Sequence, residues 1–82
     1  MPADLRRLGA ILRGERLQRQ LSQEGLAALA GLSRTQLGEI ERGAANISFA
    51  SLMAIADGLE MQLSEIVARY EHELHSSTKA RR

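Results

Sequence analysis

The stretch QEGLAALAGLSRTQLGEI, residues 23–40, decides how this chain is read. Ser22 stands before it with a hydroxyl suited to an N-cap, and Gln23 and Glu24 fall in the first turn, where a negative group complements the helix dipole. Leu26, Leu29 and Ala30 then recur on one inner face, with Ala27 beside them, and Gly31 stops the run as a left-handed residue does after a helix. A second run opens at Ser33. Gln36 follows three residues later, the spacing of a capping box. Leu37 and Ile40 point inward, and Gly43 ends this helix after Arg42.

The same punctuation extends in both directions. A first helix is expected from about Ala3 to Arg19, with Leu5, Leu8, Ile11 or Leu12, and Leu17 as a loose apolar stripe. Gly9 and Gly14 inside it cost about 1 kcal/mol each against alanine, which predicts frayed ends. After a connector from Ala44 to Ile47, Ser48 caps a fourth helix from Phe49 to about Asp57, and Gly58 closes it. A fifth helix from about Leu63 to Leu74 carries Leu63, Ile66, Val67, Tyr70 and Leu74 as a regular stripe. The remainder, residues 76–82, reads as a disordered basic tail. The expected architecture is all-α: one compact five-helix domain over residues 1–75.

Composition excludes more than it asserts. The chain has 82 residues, no cysteine and only two large aromatic side chains, Phe49 and Tyr70. Disulfide frameworks, thiolate metal sites and thiol nucleophiles therefore drop out, as do base-stacking surfaces for single strands. No apolar run approaches the ~18 residues of a membrane span, and a cytoplasmic, nucleoid-associated protein is expected. With 11 basic and 10 acidic side chains the net charge is +1. Lys79, Arg81 and Arg82 supply three of those positive charges, leaving 8 against 10, or −2, for the body. Bulk charge does not announce a nucleic-acid partner, so placement must.

Placement does. Ala27 is small where two helices cross, Gly31 permits the positive φ of the corner, and Leu37 and Ile40 anchor the following helix while its other side stays free. Such a helix-turn-helix sets its second helix into the major groove. Leu12 and Arg16, then LSQEGLAALAGLS (21–33), IERG (40–43), LMAIADGL (52–59) and LSEI (63–66) resemble the lambda-repressor/Cro-like (XRE-type) helix-turn-helix family from about Leu8 to Val67. RTQLGEIERGAANIS (34–48) is most similar to the short controller proteins of restriction–modification systems. The resemblance implies a homodimer on a palindromic double-stranded DNA operator, and a partly buried ion pair between Arg16 and Glu41. Three positions depart from the family pattern. Gln20 replaces a usual glycine, predicting a strained first corner; Gly25 replaces an acidic capping partner; Ala45 replaces a basic residue of the controller subgroup.

With Leu37 and Ile40 inward, Thr35, Glu39 and Arg42 project outward, Gln36 and Gly38 lie on the flanks, and Arg34 sits at the exposed start. Arg34 suits guanine O6 and N7, Gln36 adenine N6 and N7, and Thr35 a thymine methyl or a phosphate. Glu39 either accepts from cytosine N4 or is a surface charge; Arg34 and Gln36 read equally well from spacing alone as a cap and a solvated face. Phosphate contacts are expected from Ser22, Gln23, Arg42, Asn46 and Ser48, with Arg42 alternatively paired to Glu39. Family resemblance puts Gln23 in that role. Arg13 and Arg19 add long-range attraction.

Leu63, Ile66, Val67, Tyr70 and Leu74 form the candidate dimer interface, although Leu63 and Ile66 also suit the core of one chain. His72 and His75 stand near one another without further ligands, so no metal is expected, and no cofactor, small-molecule ligand or catalytic constellation is read. Two rival functions remain open from sequence: an antitoxin that also caps a toxin, and a protein-interaction module without DNA binding. RNA polymerase is a further candidate partner for an activator.

Overall fold

The computed structural model describes the backbone of residues 3–80 and the side chains of residues 3–73. Its elements are α1 (Ala3–Gln18), α2 (Gln23–Ala30), α3 (Arg34–Arg42), α4 (Phe49–Gly58) and α5 (Leu63–Ala80). Each of α2, α3 and α4 begins at the serine expected. The hydroxyls of Ser22, Ser33 and Ser48 accept from the backbone N–H of Gly25, Gln36 and Ser51. At Ser33 the capping box is complete, because the Gln36 side chain accepts from the Ser33 N–H at 2.8 Å.

The first four helices end in one kind of cap. Gly31 (φ 69°) and Gly43 (φ 72°) are left-handed as expected, and so are Gln20 (φ 57°) and Glu60 (φ 58°). At each corner the next residue's N–H reaches back to a carbonyl five residues earlier, for example Leu21 to Arg16 at 3.1 Å and Met61 to Ala56 at 2.9 Å. A side chain with a Cβ in this conformation costs on the order of 1 kcal/mol. Gln20 meets the expectation of a strained corner; α4 stops at Gly58 as expected, and a second strained corner follows at Glu60.

Gly58 has a second task. It is the last residue of α4, and an added Cβ there would stand 2.9 Å from Leu26 Cδ1 and 3.2 Å from Leu29 Cβ, so it also lets the end of α4 press against α2. Gly9 does the same for α1. It is buried at the crossing with α3, and a Cβ there would run into the backbone carbonyls of Ile40 and Glu41. The fraying predicted from Gly9 is therefore replaced by a tight helix contact.

The core is built from Leu12, Leu26, Ala27, Leu37, Ile40, Ile55, Ala56, Leu59, Met61 and Ile66, so that all five helices contribute and Leu59 and Met61 join them from the last corner. Full burial of each leucine or isoleucine contributes about 2 kcal/mol. Leu29, expected inward, is 62% exposed. A short helix offers one narrow buried stripe, and Leu26 and Ala27 occupy it.

Polar links fix the long helices. Arg19 Nε donates to the Leu59 carbonyl at 2.6 Å and its Nη1 to Glu15 at 2.8 Å, so Arg19 clamps α1 to the last corner instead of contributing a free charge. Glu15 also pairs with Arg69 of α5 at 3.1 Å. The α5 helix continues to Ala80, beyond the end expected near Leu74 and into the segment read as tail, because no glycine or proline follows Leu63. Among the described residues no helix is long and apolar enough to cross a membrane.

Candidate nucleic-acid interface

The candidate recognition surface is defined by which side of α3 is spoken for. Leu37, Gly38, Ile40 and Glu41 are buried, whereas Arg34, Thr35, Gln36 and Arg42 are exposed and Glu39 is half-buried. Of the outward face expected from rotation per residue, Thr35 and Arg42 are exposed and Glu39 is half-buried, while Gly38 lies beneath other side chains and not on an open flank.

Behind that face sits the ion pair. Arg16 Nε donates to Glu41 Oε2 at 2.7 Å and Nη2 to Oε1 at 3.0 Å, while Nη1 donates to the Leu21 carbonyl at 2.9 Å. Both side chains are nearly covered, at 8% and 1% exposure. The guanidinium pKa lies above its ordinary value, chiefly because of the hydrogen bond to Glu41, with burial opposing. The pair ties α1 and the α1–α2 corner to the last turn of α3, and so sets the angle at which α3 leaves the body.

Gln23 joins this network. Its Nε2 donates to Glu41 Oε1 at 3.1 Å, so the first side chain of α2 is held against α3. An added Cβ at Gly38 would lie 3.8 Å from both amide atoms of Gln23 and 3.2 Å from Arg42 Nη1. The candidate phosphate ligands Gln23 and Arg42 therefore converge from different helices. Among the described residues Arg42 makes no ion pair, with Glu39 or otherwise.

A second cluster forms on the other side of α3. Gln36, Glu39, Asn46 and Ser48 line a groove of about 270 Å³, together with Leu32, Ile40, Ala45, Ile47 and Ser51. The connector thereby delivers Asn46 and Ser48 beside the outer face of α3, although Ser48 already serves as the cap of α4. Ser22 likewise is engaged as a cap and exposed at the start of α2. The Gln36 amide oxygen is occupied by the Ser33 N–H, which leaves its NH2 group as the free end. A bidentate contact to adenine requires that oxygen, so it competes with the cap.

The candidate dimer stripe divides. Ile66 is fully buried within one chain and supplies core, not a surface for a partner. Leu63 and Tyr70 are half-buried, and Val67 is 43% exposed. Leu74 lies outside the residues whose side chains are described. Tyr70 turns back onto α1: its hydroxyl is 3.0 Å from Asp4 Oδ1 and its ring lies 5.7 Å from the Arg7 guanidinium carbon. Sequence reading missed Phe49 and Met53, which are 66% and 45% exposed on α4. Their spacing of four residues, next to buried Ile55 and Ala56, was the available signal. Leu52 of the same face lines a groove with Leu5, Leu8, Val67 and Tyr70.

The chain matches the helix-turn-helix family model over residues 12–66. The immunity repressor of Bacillus phage phi105 is 42% identical over 60 residues, which cover 73% of this chain and 42% of the repressor. The chain thus spans less than half the length of that relative. The restriction–modification controller protein C.AhdI from Aeromonas hydrophila superposes with a TM-score of 0.78 at 40% identity, covering 79% of this chain and 98% of its own. The controller protein C.Esp1396I, solved as a tetramer in complex with its natural 35 base-pair operator, gives 0.83 at 29% identity, covering 89% and 96%. The family match runs from the middle of α1 to the first turn of α5 and takes in both corner glycines, the buried Arg16–Glu41 pair and the exposed face of α3: the chain belongs to the XRE-type helix-turn-helix family.

Proposed function

We propose that this protein is a transcriptional regulator that binds a palindromic double-stranded operator as a homodimer and controls its own gene. One observation carries the reading: α3 is anchored by Leu37, Ile40 and Glu41 while Arg34, Thr35, Gln36 and Arg42 are exposed on its outer side. A helix presented in this way enters a major groove, with the half-sites of a dimer about 34 Å apart. The operator complex of C.Esp1396I, and the sequence likeness to other controllers and a phage repressor, support the same role.

Arg34 is the first base reader and Thr35 its neighbour; Gln36 and Glu39 complete the face. Ser22, Gln23, Arg42, Asn46 and Ser48 hold the backbone. Fluorescence anisotropy on the duplex immediately upstream of the gene, against a scrambled duplex, tests this directly. Arg34→Ala is expected to weaken operator binding about 10- to 100-fold, the loss of one bidentate base contact, at unchanged melting temperature. Equal affinity of wild type and variant would remove Arg34 from the reading face.

Phe49, Met53 and Val67, continuous with half-buried Leu52, Leu63 and Tyr70, form the dimer surface in this proposal. Val67→Glu should raise the dimer dissociation constant at least tenfold in sedimentation equilibrium and leave the monomer folded, because a charge is then desolvated at the contact. A variant that stays dimeric at the wild-type dissociation constant would place the interface elsewhere.

A further inference from the structure

We infer that Gln23 and Arg42 close together on a single DNA backbone phosphate across the bare backbone of Gly38, with buried Glu41 holding Gln23 in place. This rests on the DNA-binding reading above and adds to it a composite site drawn from two helices. The observation behind it is Gly38 itself. A glycine in the interior of α3 gives up about 1 kcal/mol of helix stability against alanine, and no turn or positive φ calls for it here. Nor does a neighbouring backbone: the three nearest atoms to its missing Cβ are Arg42 Nη1 and the two amide atoms of Gln23.

Those side-chain ends lie 3.2 Å and 3.8 Å from one point, so they are at most about 7 Å from each other. Hydrogen bonds of about 2.8 Å to the two free oxygens of one phosphodiester span a gap of that order. The chemistry is complementary. Arg42 brings a guanidinium with no carboxylate partner among the described residues, and Gln23 brings a neutral amide. One Gln23 N–H is committed to Glu41, at 3.1 Å, and the second remains for the phosphate. Glu41 is itself fixed by Arg16, which makes it a positioning residue: its carboxylate sets the direction of the Gln23 amide without touching DNA.

The test is a double-mutant cycle on the full chain, read by anisotropy on the upstream duplex and on a scrambled duplex, since a phosphate contact carries no sequence information. Gln23→Ala and Arg42→Ala should each weaken binding about tenfold on both duplexes, and the double variant only about 10- to 20-fold; separate phosphates would give about 100-fold. Gln23 carries no charge. Its removal should nevertheless flatten the salt dependence by up to about 0.9 in log–log slope, as Arg42 loses its phosphate, whereas an independent amide contact leaves the slope alone. Gly38→Ala should melt no lower than wild type yet bind several-fold more weakly, with Gly38→Leu weaker still. A multiplicative double variant, an unchanged salt slope for Gln23→Ala, or wild-type affinity for both Gly38 variants overturns the clamp alone. Failure of the wild type to bind either duplex overturns the DNA-binding reading and the clamp with it.

Discussion

Gly9→Ala should lower stability by about 3 kcal/mol, roughly 15 °C in melting temperature, whereas Gly14→Ala in the same helix should raise it by about 0.5–1 kcal/mol. Helix propensity alone gives both substitutions the same favourable sign. The difference lies in what each Cβ meets. At Gly14 nothing stands within 4 Å, so the gain in propensity is uncontested. At Gly9 the new carbon collides with the Ile40 and Glu41 carbonyls and would sit 2.7 Å from the Glu41 carbonyl carbon. Backbone cannot rotate aside as a side-chain end does. Either α1 lifts off α3, exposing Leu12 and straining the Arg16–Glu41 pair, or the last turn of α3 moves. Paired thermal melts of the two variants read the outcome, and a Gly9→Ala protein as stable as Gly14→Ala would refute the packing of α1 on α3. Weaker DNA binding by Gly9→Ala, measured below its melting transition, would further show that this contact sets the angle of α3.

That pair of glycines also shows where sequence stops being legible. Capping residues act on their own chain within four positions, so Ser22, Ser33, Ser48, Gly31 and Gly43 could be read in isolation, and each stands where expected. Gln20 was readable as strain only because a family resemblance supplied the missing glycine. Gly9, Gly38 and Gly58 act on other elements, and a glycine within a helix looks the same whether it faces solvent, a backbone or two converging side chains. Gly58 does end α4, but the left-handed residue of that corner is Glu60, where no composition signal marks it. The exposed side of α3 was legible because 100° per residue and two anchoring side chains fix the remainder. The Gln23–Glu41 bond was not, since it joins positions 18 residues apart. For the dimer stripe, helical spacing put Ile66 and Val67 together, yet one is fully buried and the other 43% exposed. Periodicity locates an apolar side without saying how much of it one chain consumes.

Removing one member of the buried ion pair should be the other large effect. Arg16→Ala leaves Glu41 with only the Gln23 amide as a hydrogen-bonding partner, and the Leu21 carbonyl loses its donor. Glu41→Ala strands a guanidinium that is 8% exposed. Each is expected to cost about 3–4 kcal/mol, mostly the penalty of an uncompensated charge and not the worth of the pair. Against a net stability on the order of 4–12 kcal/mol for a domain of this length, that is a quarter of the total or more, and either variant's melting temperature should fall by about 15–25 °C. The double substitution Arg16→Met, Glu41→Leu separates the two roles. Apolar side chains of similar volume avoid the desolvation cost, so its stability should recover to within about 1 kcal/mol of wild type. Its operator affinity should stay at least tenfold low, because nothing then fixes the last turn of α3 or holds Gln23. Denaturant melts and anisotropy on the same preparations distinguish the cases. A double variant that is both stable and fully DNA-competent would reduce the pair to packing; one that recovers stability alone shows that the buried charges are retained for the direction they impose on α3.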